Sequence, residues 1–479
     1  YVQALIGRMC LDAAGYQTRR GDIKRVNGKG ESMTFENKGK ENNGATYGRR
    51  SDWQNLYTIA KKYYEALLAD PGNAQFHLTD PRGASDKSGR TFNNPYQYFF
   101  EQMHMDDAIY ADESIYEYPM QQGGGNDGRP YSFGRPSSGG SKAAYPCKSY
   151  GQGRINPAYF YGVFDPNDMR RDVSITMTGS NGKGVEKLIP FVPNSKAEGG
   201  GLTLNKWDEN RQANPWVAAQ RKSGINGPYM RMSEVYLGYA EVCAALGDVV
   251  TGKQYLKTVR ERSFPQGLAD TDGFIASFGN DLVRAIIEER GFEYAGEGDR
   301  RWTLIRSGYL PEDIKRIKDM TKAMMDGLAT KGYYEFENGN IISAYIWTKL
   351  VDAKTIYGHR LTAQCPMDKV NDPVLYPGWR GQKDNWEEMG LNYGNSAPAT
   401  NLAIKGLFEI VSEEEAASLE SQGYAKVNWG IDLVDYRDEY DKYLFWDYDY
   451  VSAPIYLWPF TPNVMAAGGF TNGYGFKQE

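Results

Sequence analysis

The sequence predicts a mainly α fold in which tetratricopeptide-like helical hairpins form a scaffold carrying long aromatic- and glycine-rich loop insertions. Apolar residues recur at helical spacing in several paired segments. Two blocks, 72–229 and 307–440, are instead dominated by Gly, Pro, Asn, Tyr and Trp, with only short helical or strand-like runs. The 479 residues include 54 glycines and 22 prolines, which implies much ordered loop.

Val2, Leu5, Ile6, Met9, Cys10 and Ala13 open the chain as a helix already under way, with no initiator at Tyr1. Trp53, Leu56, Tyr57, Ala60, Tyr64, Leu67 and Leu68 form a second stripe, closed by Asp70-Pro71-Gly72, and the two are expected to pair as a hairpin. Residues 21–50, rich in Gly, Asn and mixed charge, read as a surface insertion that cannot fold alone. In mid-chain, Met232, Val235, Tyr236, Tyr239, Ala240, Cys243 and Leu246 keep the helical period up to Gly247, and a partner helix runs from about Thr251 to Arg262. Small residues such as Gly238 and Ala240 allow the close helix packing of 34-residue repeats. A further helix is expected from Asn280 as N-cap, burying Leu282, Val283, Ile286 and Ile287 and continuing through a charged run to Arg306, with Trp302 in the core.

Lys+Arg 55 against Asp+Glu 61 leaves a net charge of -6, without the basic face that nucleic acid requires. No window reaches the ~18 consecutive apolar residues of a membrane span. Cys10, Cys147, Cys243 and Cys365 are too scattered for a disulfide framework or a zinc site, and leave the redox compartment open. Gly247 to Lys253 matches GxxxxGK, but Gln254 stands where Ser or Thr should hold magnesium and a helix precedes it, so it reads as a helix connection. Glu289, Glu293 and Glu297 share one helix face. The three histidines, His77, His104 and His359, lie far from them, and Arg290, Arg300, Arg301 and Arg306 lie alongside, so a structural ion-pair network is expected. No nucleophile elbow, zinc motif or calcium loop occurs; neither cofactor nor metal is expected, and no enzymatic activity.

Several segments, taken in order, resemble the SusD/RagB family: PYMRMSEVYLGYAEVCAALGD at 228–248 followed by YLKTVRERS, IIEERGFEYAGEGDRRWTLIRSG at 286–308, and the tail APIYLWPFTPNVMAAGGFTNGYGF at 453–476. ESIYEYP at 113–119 and FDPNDMRRDVSIT at 164–176 are weaker echoes. Thr303 stands where the family has Asp, and 311–440 is longer than the resemblance leads one to expect. The resemblance implies one SusD-like domain over 1–479 lacking its N-terminal start. Its parts are a helical hairpin at 1–71 with the 21–50 insertion, a loop-rich ligand-face region at 72–229, tetratricopeptide-like helices at 230–308, and an insertion plus C-terminal segment at 309–479. It also implies an outer-membrane, cell-surface lipoprotein, anchored only through an N-terminal lipid outside this chain. Such a protein captures a nutrient, an oligosaccharide or a peptide, and acts as the lid of a SusC-type TonB-dependent transporter.

The composition fits a recognition surface: 36 tyrosines and 10 tryptophans combine a flat face with a polar handle. The ligand-binding residues expected are Trp207, Trp216, Tyr159 and Tyr161 before the central hairpin, and Tyr376, Trp379, Trp386 and Tyr393 in the long insertion. Asp208, Glu209, Asn210, Arg211 and Gln212, between the first two tryptophans, are expected to read hydroxyl groups. A tyrosine-rich core is the competing reading of the same aromatics. An intracellular helical-repeat scaffold and a glycan-cleaving enzyme are the competing functions; the former needs repeats uninterrupted by such loops, the latter an acid/base pair.

Overall fold

Helix α1 (Val2–Ala14) lies against α2 (Trp53–Ala69), α2 lies against α3 (Met232–Ala245), and α3 turns at Gly247 into α4 (Val249–Arg262). The computed structural model describes residues 1–81, 94–104, 110–125, 128–137, 148–180, 186–193, 199–209, 216, 219–352, 400–444 and 448–476. The fold is mainly α, and the stripes read for α2 and α3 are largely buried. By contrast, α1 turns the face of Ala4, Gly7, Cys10, Leu11 and Ala14 inward, where small residues admit the Tyr64 ring, and leaves Val2, Met9 and Ala13, expected on the inner stripe, exposed. Leu11, Tyr57, Tyr64, Leu67, Val235, Val242 and Cys243 form one apolar seam, and Leu237, Leu256, Val259, Leu282 and Ile286 a second on the other side of α3. The close approach depends on two glycines. A Cβ on Gly7 would stand 2.4 Å from the Tyr64 ring, and one on Gly238 2.7 Å from its hydroxyl oxygen, so Tyr64 is clamped between α1 and α3.

The charged helix expected to run to Arg306 is two helices, α5 (Leu282–Glu293) and α6 (Asp299–Ser307). Its cap is Asp281, whose carboxylate accepts from the Arg284 amide at 3.0 Å; Asn280 instead takes a left-handed turn with φ 65°. The break falls at Gly298, whose φ of 90° only glycine adopts readily.

A second difference is α7 (Leu310–Lys331), a 22-residue helix inside a block expected to hold only short runs. Pro311 and the acids Glu312 and Asp313 suit its first turn, and Gly332 ends it in the left-handed conformation. Its buried positions include Thr321, Met324 and Met325, a weaker stripe than leucine would give. It packs on the largest core cluster, which includes Phe160, Tyr161, Phe164, Phe191, Ile346 and Trp429.

The strands are short and peripheral. Residues 21–50, expected as an insertion, supply two strands, β2 (Phe35–Asn42) and β3 (Ala45–Arg50), of an antiparallel sheet completed by β1 (Gln17–Arg20), with β3 in the centre. The sheet is held from outside: Tyr47 donates to the Ile305 carbonyl, and Thr18 Oγ1 to that of Pro454 at 2.7 Å. β4 (Ser114–Tyr118) pairs antiparallel with β5 (Gly227–Arg231), and β6 (Tyr345–Asp352) lies between β7 (Thr400–Lys405) and β8 (Ala425–Asn428). Among the described residues no helix is long and apolar enough to cross a membrane.

The expected ion network is present, but its cations come from other parts of the chain. Glu289 pairs with Arg170 and Arg260, each at 2.7 Å, and Glu293 with Arg170 at 3.1 Å, Arg231 at 2.5 Å and Arg262. Glu113 bridges Arg231 and Arg262, and Glu297 holds Arg231 at 2.9 Å and Lys206 at 2.7 Å. The arginines next to these acids in sequence face elsewhere: Arg300 to Glu288 and Asp313, Arg306 to Glu241, Arg290 to Asp299. Burial alone would raise the Glu293 carboxyl; the charges of Arg262, Arg231 and Arg170 hold it well below the usual carboxylate range.

Ile286 is fully buried, and Ile286→Ala should cost about 2–5 kcal/mol in urea unfolding. Glu293→Ala removes one carboxylate from each of three buried guanidinium groups and should cost about 3–5 kcal/mol. Because the folded Glu293 value lies below the unfolded one, its contribution is full above the ordinary carboxylate pKa of about 4.5 and is lost as pH falls through the folded value. Stability against pH should therefore fall less steeply on the acid side in Glu293→Gln than in the parent protein.

Candidate functional site: an aromatic-rimmed cleft

A cleft of about 520 Å³ opens between α1, β5 and α6. Strand alternation builds one rim. In β4 Glu117 turns inward, accepting from Asn226 and from the Ala111 amide at 2.9 Å each, so its neighbours Tyr116 and Tyr118 turn out, 36% and 46% exposed. Tyr229 of β5 joins them: its ring centroid lies 5.7 Å from that of Tyr116 and 5.1 Å from that of Tyr118, both edge-on. Tyr1 adds a fourth ring, 4.9 Å from Tyr116. Trp302 supplies the facing rim from α6. That helix buries Thr303, Leu304, Ile305 and Arg306, and at about 100° per residue Trp302 falls opposite Leu304, so the indole is 56% exposed rather than in the core.

The floor is charged and buried. Arg8 pairs with Glu234 and donates to the Tyr229 carbonyl at 2.7 Å. Arg290, 4% exposed, bonds Asp299 at 2.5 Å, while its Nη1 has no hydrogen-bond partner among the described residues. Thr303 donates to Asp299 at 2.8 Å, one helical turn earlier on the same face. Burial would raise the Asp299 carboxyl, but Arg290 and the Thr303 hydroxyl hold it below the usual range. Glu297 brings the central network to the cleft wall. The result is an open recess with oriented donors and acceptors under exposed ring faces, the composition of a polar-ligand site.

The four aromatics picked from the sequence that fall in described residues lie elsewhere. Trp207 is 3% exposed and packs with Leu204 and Ile225. Tyr161 is fully buried and accepts from the Trp429 indole at 2.8 Å. Neither presents a face to a ligand; burying their flat apolar area in the core is worth more than leaving it in water. Tyr159 is half-buried and donates to the Gly291 carbonyl at 2.9 Å. Trp216 is half-buried and lies over Gly123, just beyond β4. Tyr376, Trp379, Trp386 and Tyr393 lie outside the described residues, as do Asn210, Arg211 and Gln212, while Asp208 and Glu209 are buried. The rim residues Tyr116, Tyr118, Tyr229 and Trp302 were missed. The legible signal was the Tyr-x-Tyr alternation at 116–118, flanked by acids that the strand buries.

Urea unfolding should separate the two kinds of tryptophan: Trp207→Ala should cost about 3–5 kcal/mol, whereas Trp302→Ala should stay within about 0.5 kcal/mol.

The sequence profile of the SusD family matches residues 73–377. A SusD-like protein of Formosa agariphila is 28% identical over 160 residues, 33% of this chain and 26% of that protein. Among solved structures, a SusD homolog from Bacteroides thetaiotaomicron aligns over 66% of this chain and 54% of its own at 17% identity, with a TM-score of 0.40. Surface glycan-binding protein A from Bacteroides uniformis aligns over 54% and 47% at 19% identity, with a TM-score of 0.35. The chain thus spans about a quarter of the curated relative and about half of the solved ones. With a profile match over well over half its length, the chain belongs to the SusD family.

Proposed function

We propose that this protein is a non-catalytic nutrient-binding protein of the cell surface that captures an oligosaccharide in the cleft between Tyr118 and Trp302. The observation that carries the reading is the exposure of Trp302 and Tyr118, the latter with Tyr116 beside it, around a floor of largely buried charged groups. Sugar rings offer C–H faces that stack on indole and phenol rings, and hydroxyls that pair with oriented carboxylates and guanidinium groups. The floor acids serve as acceptors in ion pairs, Glu234 with Arg8, Asp299 with Arg290 and Glu297 with Arg231. That arrangement supports holding a ligand rather than cleaving it.

The family resemblance supports delivery to a SusC-type TonB-dependent transporter, with this protein as its lid and a lipid on an upstream cysteine as its outer-membrane anchor. An exposed apolar surface on the C-terminal segment supports a protein partner. Trp458 is 88% exposed, and Leu457, Phe460, Val464 and Phe470 are exposed near it in sequence.

A binding screen over oligosaccharides and peptides tests the cargo. An oligosaccharide should bind, and Trp302→Ala and Tyr118→Ala should each weaken it about two- to twelvefold without changing the melting temperature. Capture of peptides alone, or affinity indifferent to both changes, would overturn the reading. Trp458→Ala should leave sugar binding intact and reduce co-purification with the barrel from native membranes.

A further inference from the structure

Almost every buried arginine described above is matched by a carboxylate, and against that pattern one pocket stands out. It holds about 480 Å³ between the β1–β3 sheet and the C-terminal segment, and Arg19, Arg25, Arg50, Phe35, Tyr456 and Tyr474 line it. Arg50 pairs with Asp52 at 2.7 Å. Arg19 and Arg25 pair with no carboxylate among the described residues. Arg19 spends Nη1 on the carbonyls of Gln17, at 3.3 Å, and Gly48, and its guanidinium lies 4.3 Å from the centre of the Phe35 ring. Burial pulls its pKa down to about 10; Tyr456 opposes the shift, and the like charges of Arg25 and Arg50 add to it. Two guanidinium groups left without a counter-charge in a recess with room for a ligand form a receptor for a planar or tetrahedral oxyanion.

We propose that this pocket is a second binding site, for a carboxylate or sulfate group. It adjoins the aromatic cleft. Arg8, Leu11 and Asp12 of α1 line the cleft, and Ala13 and Gln17, just beyond, line the pocket. Arg301 joins the two: it donates to the Tyr456 carbonyl, and its guanidinium lies 5.4 Å from the centre of the Trp302 ring. An extended ligand carrying acidic substituents would reach both. That extension rests on the sugar reading of the cleft; the oxyanion site itself does not.

Isothermal titration with sodium glucuronate, sodium sulfate and glucose as a neutral control tests it. Glucuronate or sulfate should bind saturably, with affinity that falls as sodium chloride is raised, and whichever binds tighter identifies the substituent. Arg25→Gln, on a half-exposed side chain, and Arg19→Gln should each weaken that binding about tenfold or more, while Arg19→Lys keeps part of it and Trp302→Ala leaves it unchanged. No saturable anion binding, or binding untouched by Arg25→Gln in a protein of unchanged melting temperature, would overturn the site. Loss of anion binding on Trp302→Ala would place the anion in the cleft and overturn it equally. Failure of the sugar reading leaves a different signature: the anion binds, and no oligosaccharide does.

Discussion

Glu293 is the carboxylate on which the middle of the molecule converges. Three guanidinium groups reach it: Arg170 from the short helix Arg170–Ser174, Arg231 from the end of β5 and Arg262 from the end of α4. Glu113, just before β4, ties two of the same arginines a second time. A buried charge of this kind is tolerated only when all its partners are in place, because each unpaired member would retain its full desolvation penalty. The network therefore demands that segments more than a hundred residues apart arrive together, and it fixes the docking of the loop block 110–176 on the helical hairpins. Four of the segments that carry the family resemblance, at 113–119, 164–176, 228–262 and 286–308, supply these charges, and the fifth, the tail at 453–476, supplies none.

That geometry explains what could be read from the chain. Helices whose stripes face one neighbour, such as α1 to α4, announce themselves through spacing, since the hydrophobic period is the packing constraint. The Glu289/Glu293/Glu297 face could be recognised as structural, but its partners could not, because ion pairs across 119 or 123 residues leave no local trace. α7 was hidden for a related reason. Between Leu310 and Leu328 its apolar stripe rests on methionine and threonine, and the aromatic cluster it covers, from Phe160 to Trp429, is assembled largely from short elements and loops with no shared period.

The aromatics show the limit more sharply. A tryptophan in a loop was expected to face water and one inside a helical motif to face the core, and Trp207 and Trp302 do the reverse. The segment around Trp207 is held in place by charge and packing together: Lys206 next to it is fully buried against Glu297, and the indole itself fills a small cluster with Leu204 and Ile225. α6 is short and already fills its inward face with Leu304, Ile305 and the Arg306 ion pair to Glu241, which leaves Trp302 on the other side. Exposure follows which face an element has committed to its ion pairs.

The same commitment shapes the cleft. Arg231 and Glu297 belong at once to the buried network and to the cleft wall, and Arg290 is fixed by Asp299 and Tyr294 packing before any ligand arrives. The floor donors and acceptors are thus ordered by folding, and a ligand entering the recess need not repay their side-chain entropy. The rim is different: Tyr116 and Tyr118 touch each other and Tyr229, and Arg301 lies over the Trp302 ring, yet the rings of Tyr116, Tyr118 and Trp302 stay exposed. A rigid polar floor under adjustable rings sets hydroxyl geometry strictly and ring stacking loosely. Selectivity in such a site comes from the floor, and tolerance for different chain lengths from the rim.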